Sequence, residues 1–137
     1  MRPLLLDTCA AIWLVADAPL AQGAFDAIAE VSEAGLALRI SPVTAWEIGL
    51  LARKGRFRSS LSPQHWFERL CAIPGVVLCD LSAAILLHAS FLPGELHGDP
   101  ADRMMAATAR EYDLTLLTRD RALLDYAAEG HLQALAC

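Results

Sequence analysis

Short apolar runs, each closing just before a helix-start signal, constrain this chain more than any other feature. "PLLLD", "LALRIS", "GVVLCDL" and "LTLLTRD" recur along it, with helix-length segments between them. An apolar run without polar alternation suits a strand buried on both faces, and both faces are covered when helices flank a parallel sheet. Helices are predicted over about 8–15, with Thr8 as N-cap, and over 21–34, stopping at Gly35. In "SPVTAWEIGLLARKG" Ser41 caps, Pro42 starts and Gly55 ends a third, and "SPQHWFERLCAI" repeats the Ser-Pro start. "SAAILLHASFL", the segment opened by Asp99-Pro100 and about 120–127 are also helical, and "LQAL" is a possible last strand. The fold class is α/β: an α/β/α sandwich around a central parallel sheet of four to five short strands. With 137 residues and no linker or repeat, residues 1–137 read as a single domain able to bury its own core.

Composition narrows the function. With 55% hydrophobic and 20% charged residues the chain is a globule and not a disordered segment. A net charge of −5 gives no general attraction for nucleic acid, so any such site must be local. Cys9, Cys71, Cys79 and Cys137 form no C-x-x-C pair and read as thiols in a reducing compartment. His65, His88, His97 and His131 lack metal-site spacing and read as surface or packing residues. Ala16-Asp17-Ala18 faintly resembles a signal cleavage site, but Asp7 interrupts the apolar stretch before it. Nothing is long and uncharged enough to span a membrane, and the expected location is the cytoplasm.

Four acids stand out by position. Open α/β sheets place their sites beyond the carboxyl ends of the strands. Asp7 ends the first strand and Asp120 follows the "LTLL" strand, while Glu47 and Asp102 lie on helical turns able to reach the same edge. Each has an ordinary alternative. Asp7 and Asp120 could cap helices, Glu47 could be an early-turn acid, and Asp102 sits near the positive end of a helix dipole. Asp102, however, shares a face with Met105, Ala106 and Ala109, a face that should point inward. Together the four favour a site.

Such a cluster needs protons or cations, because two charges about 4 Å apart repel by about 4 kcal/mol at an effective dielectric near 20. Oxygen donors without His or Cys suit a hard divalent ion, Mg²⁺ or Mn²⁺. An ion that keeps several waters can activate one against a phosphate, so metal-assisted phosphodiester hydrolysis is the natural chemistry.

"LLLDT", "SPVTAWEIGLLARKG", "HGDPADRMMAATA" and "LLTRD", in that order along nearly the whole chain, resemble the PIN domain, and most closely the VapC-type toxin ribonucleases of type II toxin–antitoxin modules. The resemblance implies a PIN-like fold and an acidic quartet of Asp7, Glu47, Asp102 and Asp120 that holds the metal and carries catalysis. It implies Thr118 as an accompanying hydroxyl, RNA as substrate, a VapB-like antitoxin partner and a homodimer. Asp99 matches no metal position and keeps its capping role. On this reading Asp7, Asp102 and Asp120 hold the ion, and Glu47 completes the shell or orients the attacking water.

RNA must still reach an acidic site. "ARKGRFR" supplies Arg53, Lys54, Arg56 and Arg58 around Phe57, a turn that could grip phosphate and stack a base or simply be solvated. Arg103, Arg119 and Arg121 adjoin the acids and could balance charge or touch substrate. Trp13 and Trp46 read as core or partner-interface residues, and the apolar first helices could pair subunits or receive the antitoxin. The alternatives are a catalytically silent PIN-like interaction module, a receiver-type domain or a phosphatase. The last two fit poorly: Lys54 is the only lysine, and Cys9 stands where a phosphatase of the haloacid dehalogenase type would need its second aspartate.

Overall fold

The structure is a computed structural model describing residues 1–16 and 20–137; the Ala16-Asp17-Ala18 step lies partly outside the described residues. The elements run β1 (Leu4–Leu6), α1 (Thr8–Ala16), α2 (Gln22–Glu33), β2 (Leu38–Ile40), α3 (Pro42–Arg53), α4 (Pro63–Ala72), β3 (Val76–Leu78), α5 (Ala83–Ser90), α6 (Pro100–Glu111), β4 (Thr115–Thr118), α7 (Arg121–Ala128) and β5 (Ala134–Ala136). Sequence signals set most helix starts. The hydroxyl of Ser41 accepts from the Val43 amide, Ser62 from His65, and Ser82 from Ile85. Asp99 accepts from the Asp102 amide, with Pro100 at the first helical position. Gly55 ends α3 at φ +69°, a left-handed turn for which glycine carries no Cβ penalty.

One start differs from expectation. Thr8 is the first residue of α1 and not its cap; Asp7 takes that place, its carbonyl accepting from Ala11 and its Oδ1 from the Thr8 amide. The carboxylate is the better acceptor at a helix N-terminus, which leaves the Thr8 hydroxyl for another partner. The last strand also falls later than "LQAL", at Ala134–Ala136.

All five strands are parallel, in the order β3-β2-β1-β4-β5. Successive strand residues face opposite layers, as a two-residue period requires. Leu6, Ile40 and Leu117 pack with Ala10, Ala11, Ala24, Ile48, Trp66 and Leu70 from α1 to α4. Leu5 and Leu116 pack with Ile85, Met105, Ala106, Leu123 and Tyr126 from α5 to α7. The expected α/β/α sandwich is the observed one. Because α1 leaves β1 on one face and α7 leaves β4 on the other, a crevice opens between the carboxyl ends of these neighbouring strands.

Among the described residues, no helix is long and apolar enough to cross a membrane. Apolar residues of α1 are largely covered, whereas Leu87 and Phe91, on and just after α5, are 65% and 82% exposed.

Candidate functional site

Register builds the centre of the site. Leu6 pairs with Leu117, so the next residues, Asp7 and Thr118, come side by side, and the Asp7 amide donates to the Leu117 carbonyl at 2.9 Å. The Thr118 hydroxyl donates to Asp7 Oδ2 at 2.6 Å and accepts from the Asp120 amide at 3.0 Å. Asp120 caps α7, its Oδ1 taking the Leu123 amide at 3.0 Å. Thr118 thus holds one acid by its carboxylate and another by its backbone, while wholly buried itself.

Glu47 arrives from α3. Thr8 Oγ1 donates to Glu47 Oε1 at 2.5 Å. Thr8 has one hydroxyl proton, so in its 3.2 Å contact with Thr44 the latter is the donor. The relay Thr44 to Thr8 to Glu47 fixes the carboxylate from α1 and from one turn earlier in α3. Asp102, in the first turn of α6, is met by His97, whose Nε2 lies 3.1 Å from its Oδ2. His97 Nδ1 accepts the Asp99 amide at 3.1 Å, so the ring proton sits on Nε2 and points at Asp102.

These side chains share one open cavity of about 380 Å³, lined by Asp7, Thr8, Cys9, Ile12, Glu47, Leu51, Asp102, Arg119 and Asp120. All four sequence-predicted acids are therefore brought together. Burial raises the Asp7 carboxyl above its ordinary range, against hydrogen bonds from Thr118 and Thr8, with the charges of Asp120 and Asp99 adding to the rise. Burial also raises Glu47, opposed by the Thr8 hydroxyl. Asp102 is pushed up to about 7, by burial first and then by the charges of Asp120, Asp99, Asp7 and Glu47. Partly buried acids that repel one another are matched chemically by a divalent cation. One atom each from His97, Asp102 and Asp120 lie within 4.8 Å of one another. With its proton on Nε2, His97 acts there as a hydrogen-bond donor, leaving carboxylate oxygens as the fitting donor set.

The basic candidates divide. Arg103 has a different role from the substrate contact expected of it: its guanidinium donates to the carbonyls of Ala89, Leu96 and Ser90, tying α6 to the end of α5. Arg56, Phe57 and Arg58 line a groove of about 430 Å³ with Arg69, Leu61 and Trp66. Ile12 and Leu51 border both this groove and the acidic cavity, so the two are adjacent. Arg53 and Lys54 are exposed and line neither. Phe57 packs edge-on against buried Trp66, with ring centroids 5.8 Å apart, so its ring is committed to packing rather than presented for stacking. Trp46 is 51% exposed, away from the core.

Sequence reasoning missed Thr8, Thr44 and His97. Thr8 directly follows Asp7, and Thr44 precedes Glu47 by three residues, one helical turn; both spacings were available as signals. His97 carries no spacing signal, since a loop rather than a helix brings it to Asp102.

The family model of the PIN domain matches residues 4–129. The chain belongs to the PIN domain family. This PIN domain is 31% identical to Ribonuclease VapC22 of Mycobacterium tuberculosis over 124 residues, 90% of this chain and 91% of that one. Its fold is similar to a VapBC complex of Salmonella typhimurium bound to DNA, with a TM-score of 0.68 at 19% identity over 99% of this chain and 98% of that one. It is similar also to VapBC2 of Rickettsia felis bound to a promoter DNA fragment, with a TM-score of 0.67 at 16% identity over 97% of each.

Proposed function

We propose that this PIN domain is a divalent-metal-dependent endoribonuclease, the toxin of a toxin–antitoxin pair, folded as one domain over residues 1–137 and working in the cytoplasm. The observation that carries this is the convergence of Asp7, Glu47, Asp102 and Asp120 on one cavity at the strand crevice. A relative named as a ribonuclease supports it. The VapBC neighbours support a VapB-like antitoxin as partner, and a homodimer completes the proposed assembly.

The donor set fits Mg²⁺ or Mn²⁺, held by Asp7, Asp102 and Asp120. When bound, the ion supplies Lewis-acid charge at the scissile phosphate. Thr118 keeps Asp7 Oδ2 aimed and its negative charge stabilised. Glu47 Oε1 is engaged by Thr8, which leaves Oε2 to orient a water and take its proton as the water oxygen bonds to phosphorus, while the opposite P–O bond breaks and the leaving ribose oxygen takes a proton from solvent. Arg56 and Arg58 lead RNA along the groove toward the acids.

The test is cleavage of a mixed single-stranded RNA pool by the purified chain with EDTA, Mg²⁺ or Mn²⁺, beside Asp7→Asn and Asp102→Asn. Metal-dependent cutting, lost in both variants, is expected. No cutting, with no effect of either ion on melting, would instead leave a silent interaction module.

A further inference from the structure

We propose that Arg119 is the anchor for a substrate phosphate at the acidic cavity, fixed for that purpose by Trp13; this rests on the ribonuclease reading above. Arg119 lies between Thr118 and Asp120 in the sequence and is the sole cation among the residues lining the cavity. Its guanidinium carbon sits 3.4 Å from the centre of a Trp13 ring, and its Nε donates to the Cys137 carbonyl at 3.2 Å. Stacking fixes the plane of the fork and the Nε bond fixes its rotation. A guanidinium pinned in this way gives up little further freedom when it meets a ligand.

A counter-ion for the quartet would pair with it. Among the described residues Arg119 pairs with no acidic side chain within 4.0 Å, although Asp7, Glu47, Asp102 and Asp120 line the same cavity. Its two terminal nitrogens make no hydrogen bond there either. Among the described residues the fork is thus held at the rim with its double-donor edge uncommitted, the arrangement that suits bidentate capture of a phosphate. Of the other two arginines expected near the acids, Arg103 is engaged by three carbonyls and Arg121 does not line the cavity. A polyanion entering a pocket of carboxylates needs an attractive charge at its edge, and Arg119 provides one. Trp13 then serves as the platform for that arginine; the ring face Arg119 covers is not open to a base.

The experiment uses fluorescence anisotropy with a fluorescein-labelled mixed-sequence single-stranded RNA over a series of salt concentrations. The proteins are Asp102→Asn, which keeps the RNA intact, and the same chain with Arg119→Ala, Arg119→Lys or Trp13→Leu added. Arg119→Ala should bind about tenfold more weakly, with the salt slope reduced by about 0.7, the value for one lost single-strand phosphate contact. Arg119→Lys should keep the slope but lose affinity, because a lysine neither stacks as well nor donates as a fork. Trp13→Leu should shift affinity the same way. Equal affinity and slope for the parent and Arg119→Ala would overturn the anchor and leave the ribonuclease reading standing. So would a lowered melting temperature with an unchanged slope, the signature of an arginine that only ties down the Cys137 carbonyl. Absence of RNA binding by every protein, the Asp102→Asn parent included, would overturn the anchor together with the reading beneath it.

Discussion

Thr118 donates its hydroxyl to Asp7 Oδ2 at 2.6 Å, across the register of two parallel strands. This single contact joins the first strand's acid to the strand that presents Asp120. Thr118→Val keeps the volume and removes the hydroxyl, leaving a buried carboxylate oxygen without its donor. Denaturant unfolding should report a loss of about 1–3 kcal/mol, and titration with Mn²⁺ followed by melting should show weaker binding. Unchanged stability and unchanged Mn²⁺ response would remove Thr118 from the site.

The two aspartates at the start of α6 should separate cleanly. Asp99→Ala removes a cap and should cost about 1 kcal/mol while leaving metal-dependent cutting in place. Asp102→Asn should abolish cutting, yet leave the metal-free protein as stable as the parent or more so, because one repelling charge is gone. A large loss of metal-free stability in Asp102→Asn would make that residue structural.

A raised carboxyl pKa has a definite sign in stability. The folded chain keeps a proton on Asp102 up to about 7, whereas the ordinary value is 3.8. Between those values the native state binds more protons than the unfolded one, so this group's stabilisation is full below 3.8 and lost as pH rises through about 7. Glu47 and Asp7 shift in the same direction. Melting of the metal-free parent, compared with Asp102→Asn across that range, should show the parent falling by several more degrees. Divalent ion should flatten the difference by stabilising the ionised form.

His97 tests whether nitrogen enters the metal site. With Nε2–H aimed at Asp102, His97→Ala should weaken Mg²⁺ and Mn²⁺ binding together, and His97→Gln, which can place a donor similarly, should restore part of it. A selective loss of Mn²⁺ affinity, measured by titration calorimetry, would instead make the imidazole a ligand.

The basic turn should be unequal along its length. Replacing Arg56 and Arg58 with Ala should weaken RNA binding and lower its salt slope more than replacing Arg53 and Lys54, because only the former pair borders the groove adjacent to the acidic cavity. Equal effects would dissociate the groove from the path of the substrate.

Much of this was legible in the residues. Ser41-Pro42, Ser62-Pro63 and Asp99-Pro100 mark helix starts because capping is a local interaction, set by neighbours in sequence. The four acids were legible because strand ends and the first two turns of helices share one edge of a parallel sheet. The Thr8 hydroxyl on Glu47 was hidden, since it joins α1 to α3 through packing that no spacing encodes. Arg103 was misplaced for the same reason: its adjacency to Asp102 in sequence says nothing of the carbonyls that the end of α5 and the loop after it present to it. Thr8 as a cap failed because the helix begins one residue earlier than that reading placed it, with Asp7 before it and the Thr8 hydroxyl turned to Glu47.

Strands of three and four residues leave the centre no slack in length. Asp7 and Thr118 meet because each stands one step past a paired residue, Leu6 and Leu117, and one residue added to either strand would turn its acid or hydroxyl to the opposite face. The loop around 56–61, between α3 and α4, carries no such phase relationship to the acids. Insertions and deletions in related chains should therefore accumulate there and at other exposed connections, while the stretches from Leu4 to Asp7 and from Thr115 to Asp120 keep a fixed length.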